Sequence, residues 1–188
     1  MDSNYGGNGG SMNFYIGYFQ QHDGAPIYHF FFSEGPSVDP TFYITDNDFN
    51  PLWSQFGQEM AVTEGGVIYL MGTINRMFNM KMKFKITSSG IREIPQPYYY
   101  VGVQGELLKP IKLYSQKEGG EVVATLPKGY AVEVLLADPR SVAEDEDSTT
   151  YNRYLVRSNF GLVGWMRLAN EDLSSFDPVI RGVGFVGD

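Results

Sequence analysis

Over its first ninety-odd residues the chain repeats one pattern. A short run of aromatic and β-branched residues is followed by a cluster of Gly, Asn, Asp or Ser and then by another such run, at roughly ten-residue spacing. Aromatic side chains suit a pleated surface, and glycine supplies the positive φ that tight turns demand. With 13 Tyr, 13 Phe and 22 Gly in 188 residues, the chain has both in quantity, and the pattern predicts an all-β fold. The length suffices for one ordinary domain or two small ones with a real core.

Residues 13–20 read as a strand with Phe14, Ile16 and Tyr18 on one face. His22-Asp23-Gly24 supplies a turn, and residues 27–33 return as the second arm of a hairpin. Glu34-Gly35-Pro36-Ser37 breaks the pattern before a short strand at 41–45 and the polar turn Asp46-Asn47-Asp48. Residues 50–56 admit two readings. One is a short helix capped by Asn50, with Pro51 at its first position and Leu52, Trp53 and Phe56 along it. The other, which is favoured, is a hairpin arm ending on Trp53. Thr63-Glu64-Gly65-Gly66 and Ser88-Ser89-Gly90 are further hairpin signals, joining 59–62 to 67–71 and 81–87 to 91–94.

Pro95-Gln96-Pro97 removes backbone donors and stiffens the chain, which marks a domain boundary. The organisation expected is a flexible arm over 1–12, an N-terminal multi-stranded antiparallel module over 13–97 and a second β domain over 98–188. Within that second domain an acidic stretch, 138–150, carries Glu144-Asp145-Glu146-Asp147, whose mutual repulsion predicts a solvated, mobile loop. If the loop held a hard cation instead, Asp138, Asp145 and Asp147 would be the ligands to inspect. The final stretch, 174–188, alternates Val, Ile and Phe with Gly and either adds an edge strand or frays.

Two phrases of the second domain carry a family resemblance. In Leu126-Pro127-Lys128-Gly129-Tyr130-Ala131-Val132-Glu133-Val134-Leu135 a turn opens a β-branched strand. In Tyr154-Leu155-Val156-Arg157-Ser158-Asn159-Phe160-Gly161-Leu162-Val163-Gly164-Trp165 a tight turn joins two strands, and the return strand ends on Gly-Trp. Together they resemble the bacterial SH3 domain family (SH3b), over about the last third of the chain. The resemblance implies an SH3-like small β-barrel. It also implies a groove for extended peptides lined by aromatics near the first long loop and at the late Gly-Trp. Carried onto this chain, it makes Tyr114, Tyr130, Tyr154 and Trp165 the candidate ligand-binding residues, and a protein segment or peptidoglycan peptide the expected partner.

Formal net charge is −8, which argues against nucleic acid, whose binding is driven by Lys and Arg releasing phosphate counterions. The basic run Lys81-Met82-Lys83-Phe84-Lys85 alternates at period two and reads as the solvated face of a strand. Cysteine is absent, so thiolate catalysis, disulfides and Cys-built zinc sites are excluded. His22 and His29 have no metal-motif spacing, and Asp46 and Asp48 stand where a turn wants Asp for its backbone. There is no Gly-x-Ser-x-Gly elbow. The expectation is a binding protein that is not an enzyme, with no cofactor and no metal. The alternative is an interaction or immunity-type protein whose working surface is the N-terminal module. No apolar run approaches the ~20 residues of a membrane-crossing helix. The start has neither the basic segment nor the apolar core of a signal peptide. The chain reads as cytoplasmic if Met1 is its native start, and as periplasmic or envelope-associated if an export signal has been removed. Oligomeric state is left open.

Overall fold

The computed structural model describes residues 13–35, 40–73, 79–138, 151–169, 172 and 177–181. The expected arm (1–12), the acidic loop past Asp138 and most of the final stretch lie outside these residues. Among the described residues the chain is all-β, with fifteen strands in three antiparallel sheets.

The first sheet is a meander of β1 (Asn13–Gln20), β2 (Ile27–Ser33), β3 (Thr41–Thr45) and β4 (Pro51–Phe56). Residues 50–56 thus take the hairpin reading, with the arm running past Trp53, where it was expected to end, to Phe56. Alternation along β2 and β3 turns Tyr28, Phe30, Phe32, Phe42 and Ile44 to the core. His29, Phe31 and Tyr43 then face outward on the same strands. One expectation fails here. A register shift between Tyr15 and Gly17 inserts Ile16 as a bulge, so Phe14 lies opposite Phe32 while Tyr18 lies opposite His29. The two aromatics therefore occupy opposite faces of the sheet, because one extra residue reverses the parity of everything after it.

The second sheet comprises β5 (Glu59–Val62), β6 (Val67–Thr73), β7 (Asn79–Thr87) and β8 (Gly90–Glu93). In β7, Met80, Met82, Phe84 and Ile86 are buried, and the lysines at 81, 83 and 85 alternate with them toward solvent. Sheets one and two meet at a glycine pair. A Cβ on Gly72 would come within 2.4 Å of the Phe56 carbonyl oxygen and 2.9 Å of the Gly57 Cα, so no side chain fits there. Trp53 meets Phe84 edge-on across the same junction, ring centroids 5.1 Å apart.

Beyond β8 the chain stays on β7. The Ile94 N–H donates to the Lys83 carbonyl at 2.8 Å, and the Gln96 amide donates to the Lys81 carbonyl at 2.9 Å. The third sheet follows, built from β9 (Tyr99–Leu107), β10 (Ile111–Gln116), β11 (Gly119–Leu126), β12 (Ala131–Ala137), β13 (Tyr151–Ser158), β14 (Val163–Ala169) and β15 (Ile180–Arg181). Its spatial order is β11-β10-β14-β13-β12-β9-β15. The final stretch therefore contributes an edge strand against β9, at Ile180 and Arg181. Gly164 and Trp165 open β14 rather than end it, because the strand continues to Ala169. Tyr99, Val101, Leu107, Leu113, Val134, Val156 and Met166 point inward. The buried apolar side chains of all three sheets form one connected cluster. At ~25 cal/mol per Å² of apolar area removed from water, such a cluster is the main stabilising term of the fold.

Candidate functional site

Strand pairing sets one row of side chains side by side on the outer face of the third sheet. Tyr114 of β10 lies opposite Trp165 of β14, and Trp165 opposite Leu155 of β13. Leu155 lies opposite Leu136 of β12, and Leu136 opposite Tyr100 of β9. Directly opposed residues share a face, so these five form a continuous apolar band running across five strands. Tyr114, Trp165, Leu155 and Leu136 are half-buried, and Tyr100 is 52% exposed. Gly164 explains how the band closes up at one end. A Cβ there would sit 2.8 Å from the Leu113 Cβ and 3.1 Å from the Tyr114 carbonyl oxygen. Glycine lets β14 approach β10 closely, and Trp165 follows directly beside Tyr114.

Two residues along each strand a second row shares the same face. Lys112 precedes Tyr114 on β10, Arg167 follows Trp165 on β14, and Arg153 of β13 lies directly opposite Arg167. Lys109, Lys112, Tyr114 and Arg167 line one cleft of about 550 Å³, in which Asp172 is the carboxylate. One Asp172 oxygen accepts from the Ala169 N–H at 2.9 Å, and Lys109 is paired with Asp177 at 2.7 Å.

Behind Trp165 stands a built support. The Tyr98 ring packs on Trp165 at 5.5 Å between centroids, and the Lys117 ammonium lies 5.9 Å above the Tyr98 ring. Lys117 in turn pairs with Asp138 at 2.9 Å, and the Asp138 side chain is wholly buried. The Asp138 N–H also donates to the Arg153 carbonyl at 2.9 Å, fastening the end of β12 to β13.

Of the four residues expected to bind, the structure brings Tyr114 and Trp165 together. Tyr154 is 2% exposed, in the core with Val156 and Met166. Tyr130 packs half-buried against the core at the turn before β12, its N–H donating to the Pro127 carbonyl. The band is built without them. Leu136, Leu155, Lys112 and Arg167 were missed, although alternation from Trp165 and Tyr114 carries a signal for the two cations.

The outer face of the first sheet offers a second surface. Tyr15, His29, Phe31, Tyr43 and Phe49 form a network of ring contacts, with Phe31 stacked on Tyr43 at 5.1 Å and His29 on Phe49 at 5.0 Å. The Tyr15 hydroxyl and His29 Nδ1 are hydrogen-bonded at 3.2 Å. Phe49 is 53% exposed, yet it takes φ = +63°, a conformation rare for a bulky residue. Asp46 holds it there. Its carboxylate accepts from the Asn50 side chain at 2.9 Å, the Asn50 N–H at 2.8 Å and the Asp48 N–H at 2.9 Å. These bonds, those from Asn50 foremost, keep the Asp46 carboxyl below the ordinary carboxylate range. Burial is the cause that raises the Tyr43 phenol above its usual value.

His22 bonds in its own turn, to the Asp23 carbonyl. Among the described residues no group of three or more His, Asp or Glu is placed to hold a metal ion. No helix among the described residues is long and apolar enough to cross a membrane. No protein-family model, curated protein or solved structure shows significant similarity to this chain.

Proposed function

We propose that this chain is a non-catalytic binding module that takes an extended peptide, from a protein or from the bacterial cell wall, on the outer face of its third sheet. The observation that carries the reading is the direct pairing of Tyr114 with Trp165 beside Leu155 and Leu136. Aromatics that are rigid, amphipathic and only partly covered are the side chains that anchor peptides most economically. The resemblance of the segment around Gly164 and Trp165 to bacterial SH3 domains supports the same face, and an SH3-like barrel for residues 98–188 is part of the proposal. In this reading the module performs no chemistry on what it holds.

Retention of the full chain on immobilised peptidoglycan fragments, compared with retention by immobilised lysate proteins, tests the partner class. Tyr114→Ala should lose retention while the melting temperature barely moves. Unchanged retention in both Tyr114→Ala and Trp165→Ala would remove this face from the account.

A second reading places the working surface on the first sheet. It is favoured by Phe49, an exposed aromatic held in a sparsely populated backbone conformation by a dedicated carboxylate. Strain of this kind costs on the order of 1–3 kcal/mol and clusters at binding and switch sites. Retention that survives Tyr114→Ala but falls in Phe49→Gly would select this reading.

A further inference from the structure

We propose that a cleft at one end of the third sheet's outer face is a subsite for an uncharged sugar ring. The inference rests on the peptide-binding reading and narrows its partner to a peptide that carries a saccharide. The cleft measures about 540 Å³, within the range of small-ligand sites, and Gln104, Glu133, Arg157, Asn159 and Phe160 line it. It adjoins the apolar band. Glu133 lies directly opposite Arg157 on one side and Gln104 on the other. Arg157 follows Leu155 by two residues, so this row shares the face of the band and runs ~7 Å from it.

Phe160 sets the character of the site. Its ring is 83% exposed, the highest value among the large apolar side chains described. The turn that carries it is firmly held. Ser158 is buried, its Oγ accepts from the Leu162 N–H at 3.0 Å, and its carbonyl accepts from the Gly161 N–H at 2.9 Å. The Asn159 N–H donates to the Ala131 carbonyl at 3.2 Å. The ring thus meets solvent at a fixed place, and a ligand that covers it removes apolar area from water at little ordering cost.

Around that ring the polar groups are planar and balanced in charge. Glu133 and Arg157 form an ion pair, so an anionic ligand would meet the carboxylate and a cationic one the guanidinium. Gln104 and Asn159 add exposed amides, each with donors and an acceptor. A pyranose has the matching complement. Its rim carries hydroxyls that both donate and accept, and its faces carry C–H bonds that suit the negative face of an aromatic ring. A purely apolar side chain placed there would cover the same polar groups and meet none of them. A peptide lying on Tyr114, Trp165 and Leu155, with a sugar on a short link, fills both places.

The test uses the full chain and three probes. These are a peptidoglycan stem pentapeptide, the same pentapeptide carrying N-acetylmuramic acid (whose carboxyl is consumed in the link), and the methyl glycoside of N-acetylglucosamine. Affinity is read by calorimetry, with the Trp165 indole resonance marking the band and the Gly161 amide marking the cleft. The glycopeptide should shift both resonances and bind about tenfold or more tighter than the bare pentapeptide, which should shift Trp165 alone. The glycoside should shift Gly161 and leave Trp165 in place. Phe160→Ala changes an exposed ring, so it should remove the gain while the melting temperature and the bare pentapeptide's affinity stay as they were. Equal affinity of the two peptides at Trp165, with Gly161 unmoved, would overturn the sugar subsite and leave the peptide-binding face standing. A gain that survives Phe160→Ala would overturn it as well. Shifts at Gly161 with none at Trp165 would keep the cleft and remove the peptide from the band. Binding of none would discard both.

Discussion

The outer faces of the first and third sheets are both aromatic, and they are built on opposite principles. On the first sheet Tyr15, His29, Phe31, Tyr43 and Phe49 contact one another, and Asp46, the carboxylate beside them, is taken up by its own turn. On the third sheet Tyr114 and Trp165 belong to an apolar row with a cationic row alongside. A face whose rings are satisfied by each other has little left to offer a charged partner. A face whose two rings stand half-buried in an apolar row keeps aromatic surface open to a partner. The contrast suggests that ring count alone is a poor guide to where a β protein binds, and that ring surface left open by its neighbours is a better one.

The largest effect expected is on what both faces share. Phe84→Ala removes the ring that meets Trp53 inside the connected core and should cost about 3–5 kcal/mol. Thermal unfolding followed at both tryptophans should then fall together. A drop seen only near Trp53 would mean that the two faces rest on separately stable units and would sharpen the comparison into one between domains. Next in size is Lys117→Met, which removes the ion pair that Lys117 makes with the wholly buried Asp138 carboxylate. Breaking a buried pair this way costs about 3 kcal/mol or more, discounted somewhat here because Lys117 retains some solvent contact. Tyr98 and Trp165 should loosen with it, so the third-sheet face would lose binding while the ring contacts of the first sheet persist.

Much of this was legible in the sequence. Turn signals at Thr63-Glu64-Gly65-Gly66 and Ser88-Ser89-Gly90 located hairpins whose strands lie within two residues of their expected bounds. The alternation of Lys81 to Lys85 assigned both faces of β7. Parity was less legible where both faces are apolar. Tyr154, Leu155 and Val156 are hydrophobic in succession, so nothing local says that Tyr154 faces inward and Leu155 outward. The bulge at Ile16 was invisible for a related reason, since aromatics occupy both sides of β1. The outer row itself joins residues from Tyr100 to Trp165, and pairing over such separations leaves no mark in a short window.

A smaller effect probes the first sheet alone. The Asp46 carboxyl is depressed in the folded chain, so the stability it lends is present above the ordinary carboxylate range and is lost as pH falls through the depressed value. Acid titration by NMR should therefore break the contact between Phe49 and His29 before global unfolding, with Trp165 unmoved. If that contact outlasts protonation of Asp46, the turn is held by something other than the carboxylate. Smallest of all should be the stability change in Tyr114→Ala, whose ring is half-exposed. A large drop in melting temperature there would assign Tyr114 to the core and remove the best-placed member of the third-sheet face.

The chain carries two tryptophans, Trp53 on the first sheet and Trp165 on the third, and their indole N–H resonances report the two regions separately. Adding soluble peptidoglycan peptides to the full chain should shift the Trp165 resonance in a saturable way and leave Trp53 where it was. A saturable shift at Trp53 with Trp165 unmoved would contradict the account and move the binding surface to the N-terminal module.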